Sequence, residues 1–528
     1  RRRGPTNQRM TTRQFYLTTA IDYANGDPHF GHALEKIGAD VIARAHRQMG
    51  EQVHFCIGMD EHGQKVAQTA AAKGVEPQAF VDDIAARFRG MWDLLAISYD
   101  QFIRTTDTAH KSGVRAFIKR IADASPDDFY EKEYEGWYCV GCELFKRADE
   151  IVDGKCVLHA TRELQWTKER NWFFRLSKYQ TFLQRLVDER PDFVQPESRR
   201  NEIKALLATG LEDLSITRAR LAWAIPFPIP SPTGADAQGT WVWFDALPNY
   251  LTATGYPDKS YKNRWPAQLH IVGKDITRLH CVVWPAMLQA AELALPERVW
   301  GHGFLNFGGE RMSKSAGVKI ELADEVARFG PDAFRYFLLR EIPFDGDGSY
   351  SVERYEAVYN SELANGLGNL ASRVIAMIEK YRAGVVPDGA RGTLDNDDLA
   401  DLTAAQQALD GSRGYLPHEA LDTIAKVTSR ANLFIQQAAP WTLAKDPAKG
   451  AELDAVLAAL ARSLARQAVA LAAFMPGKAE SLWTQLGAPG AAGATAYEAL
   501  NTLSASGWKV SKGEGLFPRA EQTPPTAG

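Results

Sequence analysis

The chain has 528 residues, 45% hydrophobic and 24% charged, with a net charge of −4 and a pI near 6.3. Such a length predicts roughly two to four domains, and the composition excludes a disordered chain or a membrane protein; the longest apolar stretches, such as Ala468–Met475, fall well short of a span. Five cysteines argue against a disulfide framework and for a reducing, cytoplasmic setting, and the mild acidity means that any RNA partner needs a local basic patch.

The chain opens Arg1-Arg2-Arg3-Gly4-Pro5 with no apolar run behind it, so no secretory signal is expected, and Met10 would also serve as a start. Phe15–Ile21 is β-rich and leads to the turn-forming Asn25-Gly26-Asp27-Pro28. From Phe30, the apolar Ala33, Ile37, Val41 and Ala45 recur at helical spacing up to Gly50. Val53–Ile57 predicts a second buried strand, with Asp60-Glu61-His62-Gly63 at its carboxyl end. Strand, helix and strand of these lengths fit a right-handed parallel βαβ unit, whose ligands bind beyond the carboxyl ends of the strands.

Near Asp128 the texture changes. Up to about Gln238 the sequence is rich in Trp, Cys and charge, without βα alternation, and Pro226–Pro232 is a connector. Thr240–Phe244 and Leu269–Val272 predict strands that resume the α/β pattern. From Ser361 the pattern is helical: Leu363, Leu367, Leu370, Val374 and Met377 mark one apolar face, and Ala451–Met475 carries another before Pro476-Gly477. The expected fold is α/β. A Rossmann-like parallel-sheet domain (13–127 and 239–300) is split by an insertion (128–238), and a loop-bearing region (301–360) and an all-α helix bundle (361–528) follow.

Three motifs carry chemistry. His29-Phe30-Gly31-His32 places two imidazoles at a helix N-terminus, where free N–H groups and the dipole favour phosphate, and Gly31 lets a nucleotide approach the backbone. Arg311-Met312-Ser313-Lys314-Ser315, between Gly308-Gly309 and Gly317, reads as a mobile basic loop able to close over a substrate. Cys139-x2-Cys142-x13-Cys156-x2-His159 supplies the three thiolates and imidazole of one structural zinc site, which would hold a short insertion folded. Each has a plainer alternative: capping histidines, a solvated charge run, buried thiols. Cys56 and Cys281 lie in apolar contexts and read as core.

The first two motifs, in this order, resemble the signatures of class I aminoacyl-tRNA synthetases. Thr18–Tyr23, Asp60–Gly63, Trp241–Ala246, Gly273–Ile276, Asn369–Arg373, Ala439-Pro440-Trp441 and Leu516–Arg519 resemble the methionyl branch in particular, over nearly all of residues 13–519. The resemblance implies methionine–tRNA ligation, with ATP, L-methionine and tRNA(Met), initiator included, as partners and Mg²⁺ accompanying ATP. It implies catalytic roles for His29, His32 and Lys314, and ATP contacts from these together with Gly31, Gly273, Asp275, Arg311, Ser313 and Ser315. Ile21, Tyr23, Trp243, Ala246, Tyr250, Ile276 and His280 would enclose the thioether, with Asp60 on the ammonium. Trp441 would stack on an anticodon base beside Asn369 and Arg373. For Trp243, Tyr250 and Trp441 ordinary packing is the plain alternative.

Ala20 and Asp22 stand where the family often has proline and an aromatic, and Arg311 replaces the first lysine of the loop signature. The chain stops after the bundle without the appended dimerisation domain of some relatives, so a monomer is expected. Three other readings stay open: a class I synthetase for another amino acid such as cysteine, a small-molecule nucleotidyltransferase, and a tRNA-binding relative without catalysis.

Overall fold

The computed structural model describes residues 13–140, 144–146, 148–157, 159–219, 221–307 and 320–519, with the His159 side chain left out. Strand β1 (Gln14–Thr19) is followed by the short β2 (Asp22–Tyr23), helix α1 (Phe30–Gln48), β3 (Gln52–Asp60) and β4 (Gln101–Arg104). These join Leu269–Gly273, Val299–His302 and Val194–Gln195 in one seven-stranded sheet in which every pairing is parallel. Parallel sheets are covered on both faces. Ala33, Ile37, Val41 and Ala45 of α1 are fully buried on one face, as the spacing predicted. Gly38 lets that helix lie against Phe344, whose ring a Cβ there would meet at 2.4 Å. The expected strand Phe15–Ile21 ends at Thr19, and Val53–Ile57 extends to Asp60.

The expected strand Thr240–Phe244 is a correction. Only Gly239–Thr240 is extended, and Val242–Ala246 is a short helix. Trp241, Val242 and Phe244 are all buried, and such an unbroken apolar run carries no period to separate strand from helix. Between the sheet's two contributions, Phe129–Cys139 and Gln165–Phe174 form a long antiparallel ribbon, flanked by Leu144–Lys146 and Leu214–Ser215.

After Val358 the chain winds as a π-helix over Tyr359–Gly368, then as an α-helix over Asn369–Arg382. The buried face runs through Leu363, Leu367, Leu370, Val374 and Ile378 and leaves the expected Met377 at its edge. Helices Thr393–Gln407, Pro417–Ala438, Gly450–Leu471 and Pro476–Gln485 complete the bundle, with Pro476 in the first turn of the last. One hydrophobic core runs from α1 and β1 through Pro331–Glu341 into this bundle. Arg335, fully buried, ties them: it donates to the carbonyls of Leu95, Ala473 and Phe474 and pairs with Asp40 of α1 at 2.7 Å.

Candidate active site

The first turn of α1 lies beyond the carboxyl end of β1, where open parallel sheets bind ligands. His29 is its N-cap. The Nδ1 of His29 accepts from the Gly31 N–H at 3.1 Å, and the Nδ1 of His32 accepts from the His29 N–H at 3.2 Å, closing a capping box. The rings stack at 3.7 Å. Lost hydration, with Lys36 nearby, holds His29 below the ordinary histidine range, and burial plus His29 and Lys36 hold His32 well below it. Both imidazoles are therefore neutral with Nδ1 occupied, so each carries its proton on Nε2 as a hydrogen-bond donor. At Gly31 a Cβ would sit 3.1 Å from His29 Cε1, so a larger residue would press on that ring.

The basic loop Arg311–Ser315, Lys314 included, lies outside the described residues. Its point of departure does not. The strand Leu305–Phe307 pairs with Gly348–Tyr350, and the Phe307 ring meets Phe30 edge-on at 5.1 Å. Phe307, the last described residue before that loop, thus lies against the turn that carries the histidine pair. Gly273 ends its strand beside His302, with exposed Asp275 two residues on.

The apolar set is also brought together. Tyr250 O–H donates to His280 Nε2 at 2.6 Å, because the His280 Nδ1–H is spent on the Ile276 carbonyl at 2.9 Å. Burial pushes His280 down to about 4, keeping it neutral. The Trp243 and His280 rings lie edge-on at 6.5 Å, and Trp243, Ile276, Ile21 and Ala20 pack against the core cluster that contains Tyr250. Ala246 is buried near this group, and Tyr23 pairs in register with Asp60 across β2 and β3.

A buried charge network escaped the sequence reading. Lys36 Nζ lies 2.8 Å from Asp22, 2.7 Å from Glu35 and 3.0 Å from the Ala20 carbonyl, and Glu35 reaches His302 Nε2 at 3.2 Å. Two carboxylates share one ammonium. Burial pushes Asp22 up to about 7 against the pull of Lys36, with Glu35 adding to the rise, whereas Lys36 and His302 outweigh burial at Glu35 and hold it below the usual range. Burial would depress Lys36, but the carboxylates outweigh it and raise it. The signal was present as Glu35-Lys36 beside the apolar stripe, with Asp22 in place of an aromatic. A second unforeseen group joins His62, Asp245 and His110: Asp245 accepts from His62 Nδ1 at 2.6 Å and His110 Nε2 at 2.9 Å. Burial would raise Asp245, but the two imidazoles hold it at about 2.

Of the zinc set, Cys142 and the His159 side chain lie outside the described residues. Cys139 and Cys156 are each 1% exposed and share a small cluster with Leu164, and Cys156 faces His159 in the hairpin register. Two soft thiols converging in a scant core suit a structural metal. Among the described residues no group of three or more His, Cys, Asp or Glu is placed to hold one. Cys56 and Cys281 are buried as core, as expected, with Cys56 pushed up to about 12 by burial. In the bundle, Asn369 is exposed, Arg373 half-buried and Trp441 43% exposed after the left-handed Ala439; their helices both pack on Gly450–Leu471.

The sequence model of the family described as tRNA synthetases class I (M) matches residues 15–165 and 147–375. The chain belongs to the methionyl branch of the class I tRNA synthetases. Among methionine–tRNA ligases, it is 42% identical to that of Caldanaerobacter subterraneus subsp. tengcongensis over 96% of this chain and 79% of that enzyme. It is 39% identical to that of Streptomyces coelicolor over 98% of both. The Mycobacterium tuberculosis methionyl-tRNA synthetase in complex with methionyl-adenylate superposes with a TM-score of 0.90 at 38% identity, covering 96% of this chain and all of that one. Its apo form gives 0.84 at 34%. Membership in the methionyl-tRNA synthetase family accounts for the parallel sheet and the helical region together.

Proposed function

We infer that this chain is a methionine–tRNA ligase: it joins L-methionine to ATP as methionyl-adenylate with release of pyrophosphate, then transfers the methionyl group to the 3′-terminal adenosine of tRNA(Met). What carries the reading is the histidine pair at the mouth of α1, with the strand that leads into Arg311–Ser315 leaving beside it, in a chain 38% identical to an enzyme solved with methionyl-adenylate. The same likeness tells against the cysteine and nucleotidyltransferase alternatives.

The methionine carboxylate is already ionised and attacks the α-phosphorus without a general base; the bond to the bridging oxygen breaks and pyrophosphate leaves. What the chain supplies is position and charge stabilisation. The Nε2–H groups of His29 and His32 donate to phosphate oxygens as charge builds on them, and Lys314, with Arg311, Ser313 and Ser315, screens the departing pyrophosphate. Gly31 admits the nucleotide, and Gly273 and Asp275 hold the adenosine side. Asp60 pairs with the ammonium, while Ile21, Tyr23, Trp243, Ala246, Tyr250, Ile276 and His280 enclose the thioether, sulfur packing well on aromatic rings. Magnesium accompanies the phosphates.

Cys139, Cys142, Cys156 and His159 would hold one zinc, which when bound staples the end of the insertion spanning 128–238. Asn369, Arg373 and Trp441 of the region 361–528 read the anticodon by stacking and edge contacts. The enzyme acts as a cytoplasmic monomer; among the described residues no helix is long and apolar enough to cross a membrane.

ATP–pyrophosphate exchange across the twenty amino acids tests this. Methionine alone should stimulate exchange, with a Lys314→Ala variant slower by about 10²–10³-fold. Stimulation by another amino acid in place of methionine would overturn the assignment.

A further inference from the structure

Asp245 has no exposed surface at all, and a carboxylate in that state is costly unless both oxygens are satisfied. Here they are. Oδ2 accepts from His62 Nδ1 at 2.6 Å and Oδ1 from His110 Nε2 at 2.9 Å, while His110 Nδ1 is met by the Thr252 hydroxyl at 2.8 Å. The groups of this network come from separate stretches: His62 from the turn Glu61–Gly63 after β3, His110 from the helix Thr108–Ala124, and Thr252, which bonds His110, from the helix Asn249–Thr252. Asp245 itself sits in Val242–Ala246, between Trp243 and Ala246.

We propose that Asp245 is a positioning residue for methionine recognition, its carboxylate fastening the turn that directly follows Asp60 to the helix that carries Trp243 and Ala246. The inference rests on the reading of those three residues as the ammonium partner and thioether wall. The rest of the turn is anchored elsewhere. Ala24 N–H donates to the Asp60 carbonyl at 2.9 Å, Trp223 Nε1–H to the Glu61 carbonyl at 2.6 Å, and the Gly63 N–H to the Trp223 carbonyl at 3.0 Å. Arg104 Nε holds the Glu61 side chain at 2.6 Å. Those bonds reach β2, β4 and the connector near Trp223; the one through His62 reaches the pocket helix. A well-packed apolar pair would stabilise the same space as well as buried charge does. Hydrogen bonds to two imidazoles add direction, which fixes the distance from the ammonium anchor to the aromatic wall. A bound amino acid must satisfy both ends at once, so slippage between them weakens binding of methionine and leaves ATP untouched.

Asp245→Asn preserves shape but removes the charge and replaces one acceptor with a donor, so one imidazole must change tautomer or lose its partner. In exchange assays of the full chain it should raise the KM for methionine about tenfold while the KM for ATP stays within about twofold. Unchanged constants, or a parallel rise in both, would overturn the proposal. Should Asp245→Asn fail to fold, His62→Leu should show the same selective rise and His62→Gln, which keeps an N–H donor, should restore the methionine KM; equal behaviour of the two would overturn it. Trp243→Ala separates the premises: if it leaves the methionine KM unchanged, the pocket reading fails, whereas a raised KM there with a silent Asp245→Asn defeats the clamp alone.

Discussion

Lys36 shows how much chemistry a single buried residue organises. Its ammonium answers two carboxylates and a strand-end carbonyl without exposure, so Lys36→Met strands Asp22 and Glu35 together in the interior. Removing one partner of such a group costs about 3–5 kcal/mol. Urea unfolding should show that loss for Lys36→Met and recovery of most of it when Asp22→Asn and Glu35→Gln are added; an unshifted midpoint for the single variant would refute the pairing. His280 sets a pH dependence. Burial holds it at about 4 in the folded chain, against about 6.5 unfolded, so between those values the unfolded chain binds the extra proton. Stability from this residue is complete above pH 6.5 and declines as pH falls, by about 3 kcal/mol across the whole window. Denaturation midpoints taken from pH 7.5 to 5 should drop, and less steeply in His280→Gln; identical slopes would remove the residue from the account. The histidine pair at a helix start was legible because its residue types and its place after a strand and turn named it, whereas the grouping of Trp243, Tyr250, Ile276 and His280 was expected only from the family resemblance. The Lys36 and Asp245 groups were not legible: Glu35-Lys36 stands in the sequence as an ordinary charged pair, and Asp22, His302, His62, His110 and Asp245 join their groups only when the sheet gathers strand ends.

At the scale of elements, α1 is scaffold in the fold and, on the proposed mechanism, also a reagent. His29 caps it and, on the proposed mechanism, donates to phosphate. These duties can be separated. His29→Ala should cost about 1 kcal/mol of stability, whereas His29→Asn, a preferred N-cap, should recover it. Neither should recover exchange, which is expected to fall by about a hundredfold or more in both. Stability and exchange restored together by asparagine would reduce His29 to a cap. Helices with strict periodicity, such as α1, were read within a residue or two of their ends. Val242–Ala246 was misread because Trp241–Phe244 is an unbroken apolar run that suits a short strand as well as a helix. Periodicity reports exposure, and where exposure is uniform it misleads.

Across the whole molecule, the helix of the histidine pair and the C-terminal bundle share one continuous core. Trp441→Ala should leave exchange unchanged and raise the KM for tRNA about tenfold, in line with about 1–3 kcal/mol for a stacked base. A loss of exchange in that variant would place the indole in the fold rather than at the anticodon. The continuity of the core was not legible, because no sequence pattern says which face of a bundle meets which sheet. Arg335 makes that continuity binding. Its guanidinium takes acceptors at Ala473 and Phe474, far along the chain, and shares Asp40 with the helix of the histidine pair. Scission after residue 360 would therefore abandon a permanent cation whose hydrogen bonds depend on the missing half. The two activities cannot be harvested as separate parts, and a chimera that swaps the bundle must import loops presenting the same pair of carbonyl oxygens.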